Sequence, residues 1–123
     1  MENPVHSLTA ILPCNDLDAS EAFYARLGFS DPDRGYDDYR ILSDGKGGRL
    51  HLTRAVEGWL IPNQSPFGLY FYTPEVDAYA ARFAGEILGK SGGPEEKPWG
   101  TYEFALSDPD GHLVRIGWPL RLR

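Results

Sequence analysis

Leu42-Ser43-Asp44-Gly45-Lys46-Gly47 and Leu106-Ser107-Asp108-Pro109-Asp110-Gly111 are two versions of one hexapeptide. Four of the six positions agree at a constant offset of 64, and the same offset sets Leu52 on Ile116. A second block repeats at an offset of 59, pairing Leu17 with Val76, Asp18 with Asp77, Ala19 with Ala78, Ala22 with Ala81 and Tyr24 with Phe83. One short match is what chance supplies. Two blocks in the same order point to duplication of a unit of about 60 residues. The joint falls in the turn-rich loop Val56-Glu57-Gly58-Trp59-Leu60-Ile61-Pro62-Asn63-Gln64-Ser65-Pro66. Two modules are therefore expected, over about residues 5–60 and 66–120, within one domain spanning 1–123.

Each module opens with a strand and a helix. Ser7–Leu12 is apolar and β-branched and runs into Pro13. Asp16 is the expected N-cap, Leu17, Phe23, Tyr24 and Leu27 share a face, and Gly28 stops the helix. In the second module Phe67–Thr73 reads as a strand, and Thr73-Pro74 supplies a cap and a first-turn proline. Val76, Ala80, Phe83 and Ile87 then recur at helical spacing, although Gly85 weakens the last turn. Short strands follow at Tyr39–Leu42 and Arg49–Arg54, and again at Tyr102–Leu106 and His112–Trp118. Gly45-Lys46-Gly47-Gly48 reads as a hairpin turn, and Asp108-Pro109-Asp110-Gly111 fits a type I turn. Asp31–Gly35 and Ser91–Pro98 are expected to hold one weak strand each. Strand, helix, then antiparallel strands make an α+β fold, with helices on one face of each sheet. The other face is left to curve around something.

Composition removes several classes of function. The 123 residues carry 12 Lys+Arg against 18 Asp+Glu, a formal charge of −6 with no basic cluster, which argues against nucleic acid. No apolar run approaches the ~20 residues that span a bilayer. The start, MENPVHSLTA, has neither the basic nor the apolar stretch of a secretory signal, so a cytoplasmic protein is expected. Cys14 is alone, which excludes a disulfide framework and a thiolate zinc site. The acidic balance suits a neutral or cationic ligand.

Alternation along the strands assigns the open face. Leu69 and Phe71, with Phe67, are expected on the helix side, leaving Gly68, Tyr70 and Tyr72 opposite. Leu50 and Leu52 point inward, so Arg49, His51 and Thr53 take the open side. Val114 and Ile116 likewise send Arg115 to the open side, equivalent to His51 by the offset of 64. Tyr70 and Tyr72 have the clearest case for lining a ligand cavity, with His51 and Arg115 as polar neighbours. Trp59 and Trp99 offer flat rings for stacking or for covering a dimer seam. Glu103 is the lone acid of its strand, a base or a cation partner if it faces inward and an exposed edge residue otherwise. His112 beside its turn is expected in solvent, Trp118 in the core or as a C-terminal seal, and Cys14 as structural. No Ser/His/Asp arrangement or phosphate-cradling loop is visible.

Two stretches resemble a known superfamily. Asn15-Asp16-Leu17-Asp18 followed by Ala22-Phe23-Tyr24-Ala25-Arg26-Leu27-Gly28-Phe29 is similar to the first-helix motif of the vicinal-oxygen-chelate proteins, which include glyoxalases, bleomycin resistance proteins and dioxygenases. Trp99-Gly100-Thr101 through Asp108-Pro109-Asp110-Gly111-His112-Leu113 resembles the final hairpin of that superfamily. The resemblance implies paired βαβββ modules with curved mixed sheets, commonly completed as a homodimer. Its enzymes bind a divalent metal at positions that fall here on Thr9, His51, Gly68 and Arg115. Of these only His51 is a good ligand, so no metal and no other cofactor is expected. The bleomycin resistance branch, similar in Leu12-Pro13, Trp99-Gly100 and the arginine at Arg115, implies a different function. On that resemblance the chain binds rather than transforms its ligand, sequestering an aromatic, cationic antibiotic in a groove at a dimer interface. The alternatives are a metal-dependent lyase or dioxygenase, or a metal-free enzyme using Glu103.

Overall fold

A computed structural model describes residues 6–31 and 36–123. The chain divides into two compact units, Met1–Gln64 and Ser65–Arg123. The division falls inside the turn-rich loop.

In unit 1 the order is β1 (Ala10–Cys14), α1 (Leu17–Ala25), β2 (Tyr39–Ser43) and β3 (Arg49–Arg54). The sheet runs β1-β3-β2, with β1 parallel and β2 antiparallel to β3. Asp16 caps α1 as expected, its carboxylate accepting from the Ala19 N–H at 3.1 Å. Past α1, Gly28 takes φ +90°, where a side chain would be strained. Leu12, Leu17, Tyr24, Leu27, Leu42, Leu50 and Leu52 are buried together with Cys14, whose thiol lies against the Leu12 carbonyl. The first strand begins and ends later than expected: Ser7 and Thr9 precede it, and it continues through Pro13 to Cys14. Proline is tolerated because β1 uses only one edge for pairing inside the unit. The weak strand expected at 31–35 falls mostly outside the described residues. Beside it, Ser30 makes an isolated antiparallel bridge to Ser43.

Unit 2 contains β4 (Gly68–Tyr72), α2 (Val76–Arg82), β5 (Glu95–Glu96), β6 (Thr101–Ser107) and β7 (Leu113–Pro119). A short 3₁₀ turn, Leu120–Leu122, follows. The sheet order is β4-β7-β6-β5, with β4 parallel to β7 and the remaining pairs antiparallel. The mixed sheets and their helices make the α+β fold that the sequence pattern predicts.

The two hairpins have the same register. Leu42 opposes Leu50 and Arg40 opposes Leu52, as Leu106 opposes Val114 and Phe104 opposes Ile116. Their turns match as well. The Asp44 carboxylate accepts from the Lys46 and Gly48 N–H groups, both at 2.8 Å. The Asp108 carboxylate accepts from the Asp110 and His112 N–H groups, at 3.0 and 2.9 Å. The helices start in step too, at Leu17 and Val76.

Three local expectations need correction. The N-cap of α2 is Glu75, with no side-chain cap; the Thr73 hydroxyl accepts from the Glu75 N–H instead, at 3.2 Å. The helix stops before Ile87 because Gly85 turns the chain at φ +86°. Phe67 is not in the helix-side core: it precedes β4 and packs edge-on against His112 at 5.7 Å. Phe71 does face α2, 5.7 Å from the Tyr79 ring.

Candidate functional site

Unit 2 gathers five of the seven singled-out residues on the open face of its sheet. β-Pairing sets Tyr70 beside Arg115, Tyr72 beside Gly117, and Glu103 across from Gly117. These positions share one side by alternation, and the helix packs on the other.

Glu103 is the centre of the arrangement. The expectation of an exposed edge residue is wrong: β6 is an interior strand, and Glu103 is 2% exposed beneath Tyr70, Trp99, Thr101 and Arg115. Its Oε1 accepts from the Tyr70 hydroxyl at 3.0 Å, the Trp99 indole N–H at 3.0 Å and the Thr101 hydroxyl at 2.6 Å. Its Oε2 accepts from the Arg115 guanidinium at 2.9 Å. Burial pushes the carboxyl up, but the bonds from Thr101, Trp99, Arg115 and Tyr70 outweigh it and hold the pKa down to about 2. Tyr70 responds the opposite way: burial, with the neighbouring carboxylate, pushes its phenol up to about 12. Glu103 thus carries its charge at every ordinary pH, and Arg115 neutralises it.

The rings around this centre differ in exposure. Trp99 is 62% exposed and Tyr72 is 59% exposed, while Tyr70 lies half-buried with its ring 4.4 Å from that of Tyr72. Gly117 makes room for the phenol. A Cβ there would collide with the Tyr70 hydroxyl and stand 2.8 Å from the Glu103 Cβ.

His51 lies on the open face of unit 1, as expected. Its Nδ1 is 2.7 Å from the Tyr39 hydroxyl, and the rings meet edge-to-face at 5.3 Å. Trp59 stands in the loop after β3, 81% exposed. Trp118 belongs to neither open face. It lines a cleft of about 190 Å³ on the helix side of unit 2 with Val76, Asp77, Tyr102 and Arg123. There the Tyr102 hydroxyl donates to Asp77 at 2.7 Å under the Arg123 guanidinium, 3.6 Å above the ring.

His112 overturns the expectation of a solvent position. It is fully buried, with Nδ1 hydrogen-bonded to the Ser65 hydroxyl. Asp108, Asp110 and His112 bring ligand-type atoms within 4.8 Å of one another. However, the Asp108 carboxylate is engaged by the turn's own N–H groups, as Asp44 is in unit 1. The cluster reads as turn chemistry.

The metal positions implied by the resemblance do not make a donor set. Gly68 has no side chain, Arg115 is a cation bonded to Glu103, Thr9 offers a neutral hydroxyl, and the His51 Nδ1 faces a phenol. The residues present do not fit a divalent ion at these positions.

Thr101, Gly117 and Tyr39 belong to these networks and were missed by the sequence reading. Parity with Arg115 would have found Gly117; Thr101 and Tyr39 follow only once the face of Glu103 is known, by parity along β6 and by the offset of 64.

The duplicated hairpins and the strand–helix order of each unit fit the family that comparison establishes. The profile of the Glyoxalase/Bleomycin resistance protein/Dioxygenase superfamily matches residues 5–116, and the chain belongs to that superfamily. A bleomycin-binding protein solved with bleomycin is 31% identical, with a TM-score of 0.74, over 93% of this chain and 98% of that one. The bleomycin resistance determinant encoded on the transposon Tn5 is also 31% identical, with a TM-score of 0.73, over 94% and 98% of the two chains. A lactoylglutathione lyase from Agrobacterium tumefaciens is 25% identical, with a TM-score of 0.66, over 94% and 95%. No curated protein sequence matches the chain. No helix among the described residues is long and apolar enough to cross a membrane.

Proposed function

We propose that this chain is a metal-free binding protein that sequesters an aromatic, cationic antibiotic of the bleomycin type. In this reading the two units act as one cytoplasmic domain, and a second copy of the chain completes the groove. The observation that carries it is the open face of unit 2, where Trp99 and Tyr72 present exposed rings around a carboxylate already spent on four donors. Ring stacking would contribute about 0.5–1.5 kcal/mol per pair beyond area burial. Within unit 2, Tyr70 and Arg115 would add polar contacts; His51 and Trp59 are the residues that unit 1 would offer to a ligand. Because Arg115 neutralises Glu103, attraction for a cation comes from the net charge of −6 rather than from that carboxylate. It acts mainly on the rate of capture and is screened by salt. On unit 1, exposed Ile11 and Trp59 give a second copy apolar side chains to cover.

A metal-free enzyme using Glu103 as base has little support, since a carboxyl held near a pKa of about 2 is a weak base at neutral pH. A metal-dependent lyase or dioxygenase is the remaining alternative, favoured only by the lyase neighbour.

Titration of metal-free bleomycin at low salt, followed by tryptophan fluorescence or heat, tests the proposal. Saturation at one or two sites per dimer, weakened by Trp99→Ala or Tyr72→Ala, supports it. No binding at about 100 μM ligand, equivalent to about −5.5 kcal/mol, removes bleomycin. Stoichiometric metal in untagged protein, lost on His51→Ala, would restore the enzyme. Light scattering at micromolar protein decides the dimer.

A further inference from the structure

Trp99 sits in the hydrogen-bonded turn between β5 and β6, with most of its ring in solvent and the Lys97 ammonium over it. A loop side chain with most of its ring in solvent ordinarily samples several rotamers, and a ligand must then bear the cost of ordering it. Here the indole is held by its edge. Its N–H donates to the buried Glu103 carboxylate, which also receives Tyr70, Thr101 and Arg115. We propose that Glu103 is a positioning residue: it touches no ligand and fixes the Trp99 ring so that the face not overlain by Lys97, whose ammonium is 6.0 Å from the ring centroid, is presented for stacking. The inference rests on reading this face as the ligand wall.

The distribution of donors makes the role separable from charge. Three donors share Oε1 and one takes Oε2. A glutamine keeps one carbonyl oxygen for the cluster of three, but its NH₂ then meets the Arg115 guanidinium, donor against donor. Glu103→Gln therefore releases Arg115 and keeps Trp99 in place. Glu103→Ala releases both. Glu103→Asp keeps the charge but withdraws both oxygens by one methylene, so it also frees the indole.

Indole N–H exchange, read by NMR on protein carrying ¹⁵N-tryptophan, tests this without any ligand. The Trp99 signal is assigned by its loss in Trp99→Phe. Its N–H is expected to exchange at least about tenfold more slowly than that of the exposed Trp59. Glu103→Ala should abolish that gap, Glu103→Gln should restore most of it, and Trp118 should not change. If the alanine variant does not fold, Glu103→Asp takes its place. A Trp99 N–H that exchanges as fast as Trp59 in the unaltered protein, or is equally protected in all variants, overturns the proposal.

Binding of metal-free bleomycin supplies the second readout. Glu103→Ala (or Asp) should raise Kd about tenfold, but less than twofold in a Trp99→Phe background, because the effect passes through that ring. Equal losses in both backgrounds would show that Glu103 acts on the ligand or the fold directly, and would overturn the proposal. If the unaltered protein does not bind bleomycin, the ligand assignment fails and indole exchange alone decides the positioning role.

Discussion

The two hairpins share their backbone and oppose each other in where they keep charge. In unit 1, Arg40 points toward the helix side, buried, and bonds Glu21 at 2.7 Å and Asp18 at 3.1 Å on α1. The bond to Glu21 leads the interactions that raise its pKa against the cost of burial. The open face of that hairpin holds the hydrogen-bonded pair Tyr39–His51, with no acid among its β2 and β3 residues. Unit 2 reverses this. Phe104, at the position of Arg40, is apolar and buried, and the ion pair Glu103–Arg115 lies on the open face where Tyr39 and His51 stand in unit 1. Register, turn and inward aliphatics persist through duplication because each is a backbone or packing requirement. Charge can occupy either face, provided each buried ion finds partners.

The shared core is the place to break the likeness hardest. Leu52 and Ile116 are equivalent and fully buried, so Leu52→Ala and Ile116→Ala should each cost about 2–5 kcal/mol in denaturant unfolding. If one were nearly silent, the two cores would not be equivalent.

The next contrast is titration. The Glu103 carboxyl is depressed on folding, from an ordinary 4.5 to about 2. Its stabilisation is therefore present above about pH 4.5 and is lost as pH falls toward 2, the sense expected when the unfolded state binds the proton more tightly. Glu103→Gln should cost on the order of 3 kcal/mol at pH 7 and progressively less at pH 4 and below. A pH-independent difference would place the cost in packing instead.

Gly117 and Thr53 sharpen the comparison further, since they occupy the same register position, opposite Glu103 and Tyr39. Gly117→Ala pushes a methyl into the Tyr70 hydroxyl and should cost about 1–3 kcal/mol. Thr53→Ala should cost less than about 1 kcal/mol, as a half-buried site on an open face. Thermal melts of the pair measure both. The smallest effect is reserved for the surface: Arg54 pairs with Asp38 at 2.9 Å with both side chains largely exposed. Arg54→Ala should change stability by about 0–1 kcal/mol, less still at high salt.

The hairpins were legible because period-two alternation and a doubled hexapeptide both report backbone geometry. His51, Arg115, Tyr70 and Tyr72 could be assigned to the open face by the same parity. Glu103 could not, since Thr101–Leu106 alternates weakly and burial of an acid depends on donors from Trp99 and β4, which spacing along β6 does not reveal. His112 was misjudged for a related reason. A histidine beside a turn reads as solvent-exposed until Phe67 and Ser65, 45 or more residues upstream, are seen to cover it. The edge of β1 slipped because Pro13 is tolerated where the strand pairs on one edge only, and α2 ended early because Gly85 turns the chain at φ +86°.

The parallel pairing of each unit's first strand with its last also bears on synthesis. A nascent chain that has reached Arg54 already holds the strands of unit 1 found among the described residues, because β1, β2 and β3 are all present. One halted at Asp110 has made β4, α2, β5 and β6, yet β4 still lacks β7, its partner within the unit. As the chain emerges from the ribosome at about 5–20 residues per second, unit 2 leaves an aromatic strand edge waiting for its closing strand. Gly68–Tyr72, the strand that carries Tyr70 and Tyr72, therefore waits longer for its partner than the other strands of its unit.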